Sequence, residues 1–153
     1  EPWLFSGTLR DNVAMGQDDC SDEQVINCLK AAGADFMGDG TGGELDFFIQ
    51  DQGSNLSGGQ KQAVMMARAL AFNPDVYLFD EPTSAMDGLT EAQVINHLTS
   101  HLAGKTLLIV THKMPVVDMC DRVLVMDEGK IVGDGSKESY FEILKKRSEQ
   151  RQN

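Results

Sequence analysis

Three short runs carry the side chains with chemistry to offer. Asp80-Glu81 follows the apolar run Val76-Tyr77-Leu78-Phe79, Thr111-His112 follows the apolar run Leu107 to Val110, and Ser57-Gly58-Gly59 opens a stretch of helical periodicity. In open α/β sheets ligands bind beyond the carboxyl ends of the strands, so two acids and an imidazole are expected on one sheet edge. Adjacent residues of an extended chain point to opposite sides, so Asp80 and Glu81 are assigned different work. Asp80 suits a hydrated magnesium ion, and Glu81 an attacking water, a general-base role that typically contributes about 10²–10⁴-fold in rate. Pro82 biases Glu81 towards extended backbone. A bare acid pair at a strand end would be no more than a solvated edge; the company of His112 and the upstream glycines favours chemistry. Ser57-Gly58-Gly59 at a helix start offers unblocked backbone N–H groups, a hydroxyl donor and the positive end of a helix dipole, all of which suit a phosphate oxygen. A bare Ser-Gly-Gly would be a capped helix after a glycine turn, but Leu56, Gln60 and the trailing Arg68-Ala69-Leu70 complete a longer pattern.

The elements that must position these groups follow from periodicity and caps. Ser21-Asp22-Glu23-Gln24 has the form of a capping box, and Val25, Ile26, Leu29 and Ala32 recur at helical spacing up to Gly33. Ser57 is expected to cap a helix running to about Phe72, with Ala63, Val64, Ala67, Leu70 and Ala71 on one face and Asn73-Pro74 as its stop. Val76 to Phe79, Leu107 to Val110 and Val123 to Met126 read as strands. The first two flank a helical stretch holding Ala92, Ile95, Leu98 and Leu102, which makes a βαβ unit with parallel strands. Asp127-Glu128-Gly129-Lys130 is a turn into a short strand, Ile131-Val132, and Ser139-Tyr140-Phe141-Glu142 opens a last helix.

Other patterns invite functional misreadings. The stretch Gly38-Asp39-Gly40-Thr41-Gly42-Gly43 lacks a following Lys for a phosphate loop, and as a calcium loop it has Met37 at a ligand position and no final Glu; a surface loop is the better reading. His97 and His101 stand four apart on a helix with no third ligand at matching spacing, so a solvated face is favoured over a metal site. The methionines read as packing residues.

The 153 residues carry 13 basic against 24 acidic side chains, a net charge of −11, which opposes non-specific attraction to nucleic acid or anionic lipid. Cys20, Cys28 and Cys120 are an odd set without C-x-x-C spacing, which argues against a disulfide framework or a zinc site and fits a reducing cytosol. No apolar run approaches the roughly 18 residues that span a bilayer.

From Ser6 to about Lys137 the chain resembles the second half of an ATP-binding cassette (ABC) transporter nucleotide-binding domain of exporter type. Leu56-Ser57-Gly58-Gly59-Gln60 matches the signature motif, Val76 to Glu81 the Walker B strand, Ser84-Ala85-Met86-Asp87 the D-loop with Met in place of the usual Leu, and His112 the switch histidine. The run Glu1 to Asn12 is similar to the segment that follows the Q-loop glutamine in exporters. The resemblance implies an α/β fold: part of a RecA-like P-loop NTPase core, parallel strands with crossover helices, plus the ABC helical subdomain. It divides residues 1–153 of a single partial domain into a helical signature subdomain over 13–73, half of the RecA-like core over 74–137 and a terminal helix over 138–153. It further implies ATP and Mg²⁺, with catalytic Glu81 and His112, Asp80 supporting magnesium, and Ser57, Gly58, Gly59 and Gln60 as the signature residues that bind a partner's ATP, the first three at its γ-phosphate. Ser84 and Asp87 would belong to the relay across a head-to-tail pair of domains, working with transmembrane domains at the cytoplasmic face of a membrane. The chain departs from exporters where Gln50-Asp51-Gln52-Gly53 replaces a Val-Gly-Glu-x-Gly pattern that bears on coupling to the membrane domains.

No G-x-x-x-x-G-K-[ST] run is present, so the phosphate-cradling lysine is missing and these residues alone are expected to be inactive and to bind ATP weakly. The preferred reading is the carboxyl-terminal portion of an exporter ATPase domain. Its competitors are a naturally short, non-catalytic partner that lends its signature to another subunit, and a soluble DNA-handling or translation ABC protein, which the acidic balance opposes. Without the strand that leads into a P-loop, the sheet is expected to present an unpaired edge and exposed apolar surface, favouring self-association.

Overall fold

Short polar side chains set where the helices of this chain begin. In the computed structural model, which describes residues 3–34 and 43–140, reciprocal capping boxes open three helices: Thr8 with Asp11 before α1 (Leu9–Val13), Ser21 with Gln24 before α2 (Asp22–Ala31), and Ser57 with Gln60 before α3 (Gly58–Ala71). Each box satisfies a first-turn N–H that the helix itself leaves unpaired, for about 1 kcal/mol. The Asp87 carboxylate caps α4 (Gly88–His101), accepting from the Leu89 and Thr90 N–H groups. α2 stops where Gly33 turns left-handed at φ +73°. Gly33 and Ala34 N–H groups then bond back to Lys30 and Leu29 carbonyls, a Schellman arrangement. A Cβ at Gly33 would also lie 2.5 Å from Val94 Cγ2 of α4, so glycine is required there twice over.

Two compact units divide the chain, Glu1–Val110 and Thr111–Asn153. In the first, α3 packs on α1 and α2, and α2 on α4, around buried Leu9, Val13, Val25, Leu29, Val64, Leu70, Val94 and Leu98. Each such aliphatic side chain withdrawn from water contributes about 1.5–3 kcal/mol. On α3 the buried face is Ala63, Val64, Met66, Ala67 and Leu70, close to expectation. On α4 it is Glu91, Val94 and Leu98, continued by Leu102 at the C-cap, whereas Ala92 is exposed. Glu91 enters the interior, where it accepts from the Thr83 hydroxyl at 2.5 Å, a polar pair the apolar pattern does not signal.

The expected βαβ unit is present: β3 (Val76–Asp80) and β4 (Thr106–Val110) flank α4 and pair in parallel, Val76 opposite Thr106 and Asp80 opposite Val110. Tyr77 and Phe79 face inwards with rings 5.9 Å apart. The other face is bare: Val76, Leu78, Leu108 and Val110 are 62, 71, 51 and 55% exposed. Among the described residues β3 and β4 have no further sheet neighbour, so both are edges. A second, two-residue pairing was not foreseen from sequence: β1 (Gly7–Thr8) runs antiparallel to β2 (Phe48–Ile49). It is too short to show an alternating pattern.

The second unit starts with α5 (Met114–Asp118), also unforeseen, which carries Pro115 in its first turn. β5 (Val123–Asp127) and β6 (Lys130–Gly135) form an antiparallel hairpin with a bulge beyond Val125. Glu128 and Gly129 sit at φ +46° and +75°, the paired left-handed residues of a two-residue loop whose twist matches the strands. β6 is longer than the Ile131-Val132 expected, and along it Asp134 accepts two bonds of 2.7 Å from Arg122. The terminal helical turn, 137–140, begins after Ser136 and not at Ser139: Tyr140 N–H reaches the Ser136 carbonyl, and the Ser139 hydroxyl donates to that same oxygen at 2.7 Å. The expected helix residues Phe141 and Glu142, and most of the glycine-rich stretch, lie outside the described residues.

Candidate functional site

α3 presents its first turn to the loop that leaves β3, and the sequence explains how closely. A Cβ built on Gly59 would lie 2.8 Å from the Ala85 carbonyl oxygen, inside any real carbon–oxygen contact, whereas one on Gly58 would meet Ala85 Cβ at an ordinary 3.6 Å. Gly59 is therefore required by packing as well as by access to its N–H. Ser57 Oγ accepts from Gln60 N–H at 3.2 Å and Gln60 Oε1 accepts from Ser57 N–H at 2.8 Å. Accepting that bond leaves the Ser57 hydroxyl hydrogen able to donate outwards. Gln60 is thus a cap partner, and the first-turn N–H groups of Gly58 and Gly59 stand at the positive end of a 14-residue helix.

Asp80 ends β3 on the bare face, in line with Val76 and Leu78 and opposite Val110. Glu81 does not continue the strand. Its φ is +46°, left-handed, so the extended backbone expected ahead of Pro82 is not what forms, and strand alternation does not orient its side chain. Local bonding overrides the preference: Glu81 N–H extends the parallel ladder to the Val110 carbonyl at 2.8 Å, and the Glu81 carbonyl accepts from Ser84 N–H at 3.1 Å. A non-glycine residue held left-handed costs about 1–3 kcal/mol and persists only where its surroundings over-determine it.

The residue that completes this hold is Gln62, which the sequence reading passed over. Its Nε2 donates to the Glu81 carbonyl at 2.9 Å and to Ser84 Oγ at 2.8 Å, and its Oε1 accepts from Ala85 N–H at 3.1 Å. The partners dictate the amide's orientation, since a carbonyl only accepts and a backbone N–H only donates. A signal was available: Gln62 falls three residues after Gly59 and four before buried Met66, a polar residue on a stripe that faces inwards.

Ser84, Ala85 and Met86 make the turn that follows, with Met86 N–H on the Thr83 carbonyl. Asp87 then caps α4, and the Thr90 N–H first, with the Thr90 hydroxyl and Leu89 N–H, holds its carboxyl below the usual carboxylate range. His112 is exposed, two residues past β4, and belongs to the second unit, where the neighbouring Thr111 Oγ1 accepts from Lys113 N–H at 3.0 Å. His97, on α4, holds the Lys30 carbonyl through Nδ1 at 3.0 Å.

A second unforeseen anchor binds the chain's first described segment to α3. Arg68 donates through Nε to the Asn12 carbonyl at 2.6 Å, through one terminal nitrogen to Asn12 Oδ1 and through the other to the Trp3 carbonyl, both at 3.0 Å. Its guanidinium also lies 5.7 Å from the centre of the Phe5 ring. Burial lowers its pKa from the ordinary arginine value, without a carboxylate to offset it. Asn12 is wholly buried, and its amide nitrogen donates to the Phe5 and Thr8 carbonyls.

Comparison with known proteins places these features in company. The family model described as ABC transporter matches residues 2–84. ABC transporter B family member 15 of Arabidopsis thaliana is 40% identical over 144 residues, covering 92% of this chain and 12% of its own length. Antigen peptide transporter 2 of Mus musculus is 41% identical over 133 residues, 86% of this chain and 18% of that protein. Among solved structures, a bacterial Atm1-family ABC exporter with ATP bound superposes with a TM-score of 0.80 at 32% identity, over 95% of this chain and 27% of the other. The chain therefore spans about an eighth of the plant relative's length.

Proposed function

The chain belongs to the ABC transporter family, and from that premise we propose that it is the signature-bearing portion of an exporter-type ATP-binding domain, coupling ATP hydrolysis to export in the complete protein. The observation that carries the reading is the seating of the glycine-headed α3 against the loop from Glu81 to Asp87 at the carboxyl end of a parallel strand. In this reading Ser57, Gly58 and Gly59 take the γ-phosphate of an ATP held by a second domain, with the capped hydroxyl donating outwards and two first-turn N–H groups beside it. Gln60 fixes the cap.

Glu81 polarises the attacking water, its backbone held in place by neighbouring bonds, and His112 contacts the γ-phosphate. Asp80, at the exposed end of β3, is the carboxylate suited to a magnesium ion, which when bound would neutralise charge on the phosphates. Ser84 and Asp87 form the turn that meets the other domain, and Asp87 does so while capping α4. Residues 13–73 then act as the signature subdomain, 74–137 as half of the ATPase core and 138–153 as a terminal helix. The partners are a second nucleotide-binding domain, paired head to tail, and transmembrane domains, at the cytoplasmic face of a membrane. No helix among the described residues is long and apolar enough to cross a bilayer.

The test is ATP turnover by the complete protein carrying Glu81→Gln. Loss of about 10²–10⁴-fold with nucleotide binding retained is the expected result. Turnover within a few-fold of the unsubstituted protein would overturn the assignment.

A further inference from the structure

Gln62 makes three hydrogen bonds with one side-chain amide, and all three go to the segment that carries the proposed base. Both Nε2 hydrogens are used, on the Glu81 carbonyl at 2.9 Å and Ser84 Oγ at 2.8 Å, and Oε1 holds the Ala85 N–H at 3.1 Å. Glu81 itself is left-handed at φ +46°. Its own N–H is committed to Val110 and its carbonyl also receives the Ser84 N–H, so the peptide plane on each side of its Cα is fixed by named bonds. Of these, only the bond from Gln62 reaches it from the helix whose first turn bears the glycines.

We infer that Gln62 is a positioning residue: it sets the left-handed backbone of Glu81, and through it the direction of the Glu81 carboxylate, from the body of the signature helix. The inference rests on the proposed function. A displacement of α3 along its axis would move the Gln62 amide, and with it the Glu81 carbonyl. Gly59 makes this possible, because only its missing Cβ lets the helix approach Ala85 closely enough for a side chain three residues later to span the gap. The effect belongs on turnover and not on ATP affinity, since Gln62 is spent entirely on protein groups.

Two substitutions in the complete protein separate this role from mere bracing. Gln62→Met keeps length and removes all three bonds. Gln62→Glu keeps length and the acceptor for Ala85 N–H but sets a carboxylate oxygen against the Glu81 carbonyl, so it releases Glu81 while retaining Ala85. A misplaced catalytic group costs up to about 100-fold, so kcat is expected to fall about 10- to 100-fold in both variants, with Gln62→Glu at least as impaired as Gln62→Met. KM for ATP should stay within about twofold, as for an interaction expressed only in the transition state. Amide exchange at Ala85 should quicken in Gln62→Met and not in Gln62→Glu, which also keeps the test alive should the Met variant misfold.

Three results overturn the inference: kcat within about twofold of the parent in Gln62→Glu, a milder defect in Gln62→Glu than in Gln62→Met, or KM rising in step with the loss of kcat. Glu81→Gln run alongside distinguishes the two readings. If it abolishes turnover while the Gln62 variants do not, this inference alone falls; if Glu81→Gln itself turns over normally, the proposed base is wrong and the role of Gln62 falls with it.

Discussion

Gly58 and Gly59 are neighbours in one motif, yet the structure sets them apart, and the difference is measurable. Neither has a positive φ among those recorded, so alanine is conformationally allowed at both. Both lie in the first turn of α3, so alanine brings each a similar gain in helix propensity, at most about 1 kcal/mol. What does not cancel is contact. At Gly58 the new methyl meets Ala85 Cβ at 3.6 Å, an attractive distance, while at Gly59 it meets the Ala85 carbonyl oxygen at 2.8 Å. Backbone cannot swing aside as a side-chain tip can, so α3 and the 84–86 turn must part, at about the 1–3 kcal/mol typical of overpacking. Parting them also loosens the Gln62 bonds. The expected result is that Gly59→Ala unfolds at lower urea than Gly58→Ala by a difference equivalent to about 1–3 kcal/mol, followed by far-ultraviolet circular dichroism with unchanged m-values. Because the two share propensity and location, the comparison isolates the clash. Equal midpoints, or Gly58→Ala as the weaker of the two, would refute the argument and return Gly59 to a role in ligand approach alone.

Further outcomes follow from other contacts. Ser57→Asp keeps an N-cap as good as serine, so stability should hold, whereas Ser57→Ala should lose about 1 kcal/mol; ATP turnover of the complete protein should fall in both, since aspartate repels phosphate, and retained turnover in Ser57→Asp would count against the anion site. Arg68→Lys cannot reproduce a three-way fork onto Asn12 and Trp3, and losing the short bond to the part-buried Asn12 carbonyl should cost about 1–3 kcal/mol in thermal or urea unfolding. Burial, then the neighbouring Cys20, pushes the Cys28 thiol up to about 11 from 9.0. With the folded value raised, the native state holds its proton longer than the unfolded chain, so this contribution is complete below pH 9 and is lost as pH rises towards 11. Cys28→Ala should flatten that alkaline decline, and an unchanged slope would refute the assignment. Finally, the bare face of Val76, Leu78, Leu108 and Val110 predicts that the 153-residue polypeptide self-associates. Light scattering should show species larger than a monomer, reduced by Leu78→Lys; a monodisperse monomer at high concentration would contradict it.

The amino-acid order by itself determined whatever is written in local chemistry. Capping boxes at Ser21 and Ser57, the stop at Asn73-Pro74, the apolar strand cores and the Glu128-Gly129 turn are each decided by a few adjacent residues, because caps, turns and periodic faces act over one helical turn or one hairpin loop. The motif residues were legible for the same reason, as types at fixed spacing. Tertiary structure decided what depends on meetings between distant segments. Glu81 is the clearest instance: Pro82 argues locally for extended backbone, and bonds from Val110, 29 residues on, and from Gln62, 19 residues back, impose the left-handed one. Glu91 on α4 met Thr83, Arg68 spanned 56 residues to Asn12, and β1 found β2 across α1 and α2. In each case a polar group leaving water had to be paired, and its partner was fixed by how the segments packed, which no local pattern encodes.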